Sequence, residues 1–197
     1  MAGKRPPLPE DFYDRDTEIV AREMLGAILE CRTERGTASG IIVETEAYIG
    51  EDDPACHAAV GRTRRTEPLY GRPGISYVYF IYGVHWCFNA VTRAEGLPSA
   101  VLVRALEPVA GVDLMRERRG PGISGVALTN GPGKLCAALG IDGTMNGLPL
   151  QRGRLVVRSG SSVADSDIVT SKRIGITKAA DWPLRYYIRD NPYVSRK

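Results

Sequence analysis

AILECRTERGTASGIIVETEAYIG, residues 27–50, decides the fold. Two runs of β-type residues flank Glu34, Arg35 and Gly36, a turn signal that predicts an antiparallel hairpin. Side chains alternate faces along a strand. Ile41, Val43, Thr45, Ala47 and Ile49 therefore share one face, and Ile42, Glu44, Glu46 and Tyr48 the other. Two carboxylates and a tyrosine fall in one row. On spacing alone, the commoner explanation is an exposed face with solvated glutamates. The sharper one puts a glutamate at a pocket wall, where a partly desolvated carboxylate acts as a general base. Strand period does not choose between them.

Upstream, Asp16 is placed to cap a helix over Thr17–Leu25 that Gly26 stops, with Ile19, Val20, Glu23 and Met24 on one mostly apolar side. Downstream, residues 51–72 are polar, basic and turn-rich, and predict a long functional loop. ISYVYFIY and HWCFNAVT form a second hairpin about Tyr82, Gly83 and Val84. Tyr77, Tyr79 and Ile81 face one way, Ser76, Val78, Phe80 and Tyr82 the other. Aromatic density of this kind usually packs a core. Tyr82, at the tip, is badly placed for a core and suited to wedge into a ligand or nucleic acid. SAVLVRALEPV is a further strand, GVDLMRERR a helix, NGPGKLCAALG a helix that Asn130 caps, and RGRLVVRSG a late strand. Strands outnumber helices and hairpins join them. The expected fold is α+β, a single mixed domain on a curved antiparallel sheet with a protruding β-hairpin.

Composition bounds the function. The 197 residues carry a net charge of +3, with 43% hydrophobic and 25% charged residues, values ordinary for one soluble globular domain. A mildly basic chain suits a polyanionic partner without requiring one. His57 and His85 do not group with Cys31, Cys56, Cys87 and Cys136 at zinc-ligand spacing. We read the cysteines as reduced, mostly buried thiols, and expect neither metal nor cofactor. The opening MAGKRPPLPEDF has no apolar stretch and is no secretory signal. Residues 74–92 lack Asp, Glu, Lys and Arg, but Gly83, His85, Asn89 and tyrosines alternating with aliphatics favour strands over a membrane span. NGPGKLC fails as a phosphate loop, because Leu128 and Leu135 stand where Gly and Ser or Thr are needed. Arg62, Arg64 and Arg65 form a short basic run that suits phosphates.

The order VETEAYIGEDDPACHAAVGRTRRTEPLYGRPGISYVYFIYGVHWCFNAV, then VLVRALEP, NGPGKLC and WPLRYYIRDNPYVS, closely resembles the alkyladenine (3-methyladenine) DNA glycosylase family, over about Phe12 to Ser195. The resemblance implies roles by position. Glu46 matches the general base, and Arg104 the arginine that helps it hold the attacking water. Tyr48 and Tyr79 match the rings that stack on a flipped base, His57 and Asn89 the other base-pocket residues, and Tyr82 the residue that fills the gap left in the duplex. Arg62, Arg64, Lys134 and Arg173 are weaker matches to DNA-backbone contacts. Residues 1–10 are then a flexible tail and 11–197 one glycosylase domain. The implied partner is double-stranded DNA with damaged purines, and the implied state a monomer. The implied place is the cytoplasm, at the nucleoid, or the nucleus according to host, neither secreted nor in a membrane.

The implied chemistry suits these residue types. A base is unreachable inside a duplex and must rotate out, at a cost that restacking between rings recovers. An alkylated, electron-poor purine stacks well on electron-rich rings. The sugar passes through an oxocarbenium-like state, which a carboxylate stabilises while it takes a proton from water. A strand-cleaving lyase needs an amine, yet no lysine lies between Arg5 and Lys134, which points to base removal by water alone. The alternative is a module on the same fold that recognises damaged DNA without cutting the bond.

Overall fold

The computed structural model describes residues 5–196. Two short helices, α1 (Glu10–Tyr13) and α2 (Thr17–Glu23), precede a hairpin of β1 (Ile28–Thr33) and β2 (Gly36–Tyr48). A second hairpin joins β3 (Ser76–Ile81) to β4 (His85–Val91), and β5 (Ala100–Ala110) follows. Helices α3 (Val112–Arg119) and α4 (Pro132–Leu139) lead to the short strands β6 (Leu155–Arg158), β7 (Ile168–Ser171) and β8 (Arg185–Ile188). The result is the expected α+β fold. Eight antiparallel strands run in the order β3-β4-β5-β2-β1-β6, with β8 beside the far half of β2 and β7 beside β8.

The sheet has two differently covered faces. Directly opposed residues share a face. Ala47, Val101 and Ala90 form one row across β2, β5 and β4. They join the main core with Met24, Phe88, Leu135 and Leu139. On this side Thr45 Oγ1 donates to the Ala21 carbonyl of α2, 2.8 Å away. The other face carries the row Glu46, Leu102, Asn89 and Tyr77. Here a smaller cluster forms, in which Cys56, Ala58, Leu69 and Tyr70 pack on Tyr77, Val91 and Ala100. Residues 51–72 thus lie over the second face, held by two 3₁₀ turns, His57–Val60 and Glu67–Tyr70.

Several local expectations need revision. Asp16 does cap α2, accepting from the amides of Glu18 and Ile19, but the buried side is Thr17, Val20, Ala21 and Met24. Ile19 and Glu23 face water. Gly131, not Asn130, is the N-cap of α4. The Asn130 side chain instead accepts from Lys134 Nζ at 2.8 Å. Residues 1–4 of the expected tail lie outside the described residues. Residues 5–8 run along β6, where Leu8 N–H donates to the Val157 carbonyl and Arg158 to that of Arg5. β7 went unforeseen. All four cysteines are buried and unpaired. Among the described residues, no helix is long and apolar enough to cross a membrane.

Candidate active site

A cavity of about 440 Å³ opens on the second face of the sheet, a size that suits a small-molecule group such as a nucleobase. Its walls come from strands, loop and helix together. β2 supplies Tyr48, β3 Tyr77 and Tyr79, β4 Asn89, β5 Arg104 and the covering loop His57. The first turn of α4, with Lys134, and residues 174–176 complete the rim. Tyr48, His57, Tyr79, Asn89 and Arg104, scattered over nearly 60 positions, are therefore brought together.

Glu46 lies beneath this cavity. Both glutamates of β2 are fully buried, which overturns the solvated reading of that face. Glu46 Oε1 accepts from the Ile174 amide at 2.7 Å and lies 3.2 Å from an Arg104 guanidinium nitrogen. Its Oε2 accepts from the Tyr48 hydroxyl at 2.9 Å. The three groups that touch Glu46 all line the cavity. A carboxylate has about four acceptor sites, and these contacts use three. Burial pushes the Glu46 pKa above its usual 4.5, while Arg104, the Ile174 amide and Tyr48 oppose that shift. Desolvation thus wins over pairing, and Glu46 is a stronger base than an exposed glutamate.

Glu44, two residues earlier, has other partners. Its Oε1 accepts from Arg104 Nε at 2.9 Å, Arg185 Nε at 2.8 Å and Ser195 Oγ at 2.9 Å; its Oε2 accepts from the Ser195 amide at 2.6 Å. Arg104 therefore bridges both carboxylates.

Across the cavity, His57 Nδ1 lies 2.9 Å from the Tyr77 hydroxyl. Its ring meets Tyr79 edge to face at 4.5 Å. Burial, aided by the nearby Arg65 charge, pushes the His57 pKa below 6.5, so the ring is neutral at neutral pH. Arg65 itself lies 5.6 Å over the Tyr79 ring. Asn89 is buried and donates through Nδ2 to the Tyr77 carbonyl at 3.0 Å. This leaves its carbonyl oxygen free of that bond.

Tyr82 stands at the hairpin tip, 79% exposed and in the left-handed region at φ 54°. Gly83 follows at φ 70°, so two successive residues with positive φ make the turn. Only glycine adopts this freely, and the tyrosine holds a position that costs backbone energy.

The weaker backbone assignments divide. Arg64 and Lys134 are exposed. Arg62 is exposed too, but grips Glu67 with two bonds of 2.9 and 2.7 Å. Arg173 does not reach the surface. Its side chain is wholly buried against Asp53, with bonds of 2.5 and 2.8 Å, donates to the Ala47 carbonyl and lies 4.7 Å over the Tyr48 ring. It supports the cavity wall from behind rather than meeting a phosphate. Lys134, matched in the sequence to a DNA-backbone contact, lines the rim. Asp53, Arg185, Ser195 and the Ile174 amide went unnoticed. Only the alternation of Arg185 with Tyr187 along β8 hinted at a buried arginine.

Comparison with known proteins finds similar chains over nearly the whole length. Residues 11–192 match the family model for methylpurine-DNA glycosylase (MPG). A Methanoculleus marisnigri protein named "Putative 3-methyladenine DNA glycosylase" is 51% identical, over 96% of this chain and 99% of the relative. Relatives of the same name from Carboxydothermus hydrogenoformans and Myxococcus xanthus are 48% and 47% identical, each over 96% of this chain, and over 99% and 93% of the relatives.

Proposed function

The chain belongs to the methylpurine-DNA glycosylase family, and from that premise we propose that it takes damaged purines out of duplex DNA and hydrolyses their bond to the sugar with Glu46 as base. As a member it is a DNA-repair hydrolase of N-glycosyl bonds. The relatives' names point to 3-methyladenine as one substrate base.

The reading rests on one observation: a buried carboxylate of raised pKa is roofed by three groups that themselves line a purine-sized cavity. Tyr82 wedges into the duplex and the nucleotide rotates out. The base enters between Tyr48 and the Tyr79–His57 pair, beside Asn89. Water takes the remaining acceptor site of Glu46 and a donor of Arg104. As the bond from C1′ to the base breaks, its electron pair leaves with the base. The water oxygen bonds C1′ and its proton passes to Glu46. Buried charge here stabilises the developing cation of the sugar. The products are free base and an abasic site. Lys134, exposed and bonded to Asn130, plays no covalent part. The protein acts as a monomer, wherever the host keeps its DNA.

Glu46→Gln keeps shape and loses the base. Release of a methylated purine from a defined duplex falls by at least about 10²-fold, while lesion binding persists. Base release near the original rate in this variant would show that Glu46 is not the base. The reaction needs ionised Glu46, so activity falls as pH drops through its folded pKa. With that pKa raised, the acid limb lies above 4.5. Normal duplex-lesion binding with no base release by the unaltered protein would instead favour the non-catalytic alternative.

A further inference from the structure

Glu44 takes no part in the reaction just described, yet it accepts four hydrogen bonds beside the cavity. We infer that Glu44 is a positioning residue for the water-activating pair, fixing Arg104 through Nε and dividing that cation between two carboxylates. The inference rests on the glycosylase reading of Glu46.

Charge balance is the reason. Glu44, Glu46, Arg104 and Arg185 form a buried set of two carboxylates and two guanidiniums, joined by contacts of 2.8 to 3.2 Å. If Arg104 faced Glu46 alone, the pair would satisfy itself and Glu46 would be a poor base. Glu44 instead holds the opposite edge of the same guanidinium. It also raises the Glu46 pKa directly, as a like charge does. When Glu46 takes the water proton and becomes neutral, Arg104 still has a counter-charge and stays in place. Buried cations without one are costly. Ser195 secures the arrangement, donating both its amide and its hydroxyl to Glu44. Arg185 donates to Glu44, to Ser171 Oγ and to the Arg196 carbonyl. Residues 195–196 are thereby tied to Glu44 and Arg185.

Other groups face Glu46 and would register in its titration: Tyr48 on its own strand, Tyr79 on β3, Cys87 on β4, Arg104 on β5 and Arg173 in the segment before β8. Of these, Arg104 alone is bonded to Glu44. Changes at Glu44 and Arg185 therefore reach Glu46 through Arg104 and through space.

Two variants give opposite signs. Glu44→Gln deletes the competing charge, so Arg104 stabilises ionised Glu46 more. The acid limb moves down by about one pH unit and the plateau rate falls. Arg185→Gln removes a cation from Glu44, strengthens its claim on Arg104, and moves the limb up. The readout is single-turnover release of 7-methylguanine, a cationic leaving base that needs no acid, with lesion affinity measured alongside and expected to hold. A purely structural Glu44 would lower melting temperature and plateau and leave the limb where it was. If Glu44→Gln does not fold, Arg185→Gln alone decides. An unmoved limb, or two limbs shifted the same way, overturns the inference. An unaltered protein that releases no base overturns the glycosylase reading instead.

Discussion

Asp53→Ala separates a structural wall from a catalytic one. Asp53 is the sole carboxylate bonded to Arg173 among the described residues, and both side chains are fully buried. Arg173 Nε has no partner there, so the guanidinium has little to fall back on. Without Asp53 it keeps only the Ala47 carbonyl at 3.0 Å and the faces of Tyr48 and Trp182 at 4.7 and 6.0 Å. Removing one partner of a buried ion pair costs about 3–5 kcal/mol. For a chain of this length each kcal/mol is worth about 2–4 °C, so the melting temperature falls by about 6–20 °C. Asp53 also accepts from the amides of Ile49 and Ala55, so the entry to the covering loop loosens with it. Thermal and urea unfolding read the loss. Asp53→Ala with Arg173→Met removes the stranded cation and recovers most of it, because an apolar pair of similar volume replaces a buried ion pair at little cost. A single variant costing under about 1 kcal/mol, or a double variant as unstable as the single, would refute the assignment of Arg173 as a buried support.

Three further outcomes are expected. Tyr82→Ser removes the exposed wedge, so affinity for lesion duplex drops at least several-fold with no change in melting temperature; unchanged affinity would rule the wedge out. Gly133→Ala puts a methyl 2.8 Å from His85 Cγ and 2.9 Å from its Cβ, closer than packed atoms tolerate. His85 and the tip of the second hairpin must shift, and overpacking costs about 1–3 kcal/mol; full stability would show that the contact yields freely. Borohydride added during turnover traps no covalent complex with DNA, because the proposed reaction uses water and no amine; a trapped adduct lost in Lys134→Met would make that rim lysine a nucleophile.

The hairpin of β1 and β2 was legible because a period of two and a two-residue turn are local properties. The same holds for β3 and β4, whose turn falls at Tyr82 and Gly83 as read. β7 was not legible: four residues pairing only with β8 have meaning only once β8 is in place. Periodicity also placed Glu44, Glu46 and Tyr48 on one face. It did not say whether water covered that face, since residues 51–72 and the segment 173–176 cover it, neither of them part of the strand. Arg173 failed for the same reason. Its neighbours Lys172 and Ile174 make an ordinary surface run, and its burial depends on Asp53, 120 positions away.

Glu44 and Glu46 make the point sharpest. They sit on one strand, on one face, each followed by a small residue, and nothing local separates them. What separates them is distant: Ser195 and Arg185 fill Glu44, at 151 and 141 positions' remove, while Ile174, 128 positions on, leaves Glu46 one acceptor site. Glu44 accepts four hydrogen bonds, whereas the three groups that touch Glu46, the Ile174 amide, Arg104 and Tyr48, all line the cavity. In the proposed reaction the base is the glutamate whose partners line the cavity, and distant residues decide which of the two that is. The family resemblance supplied that choice ahead of the structure, and the proposal keeps it because the groups that touch Glu46 face the cavity.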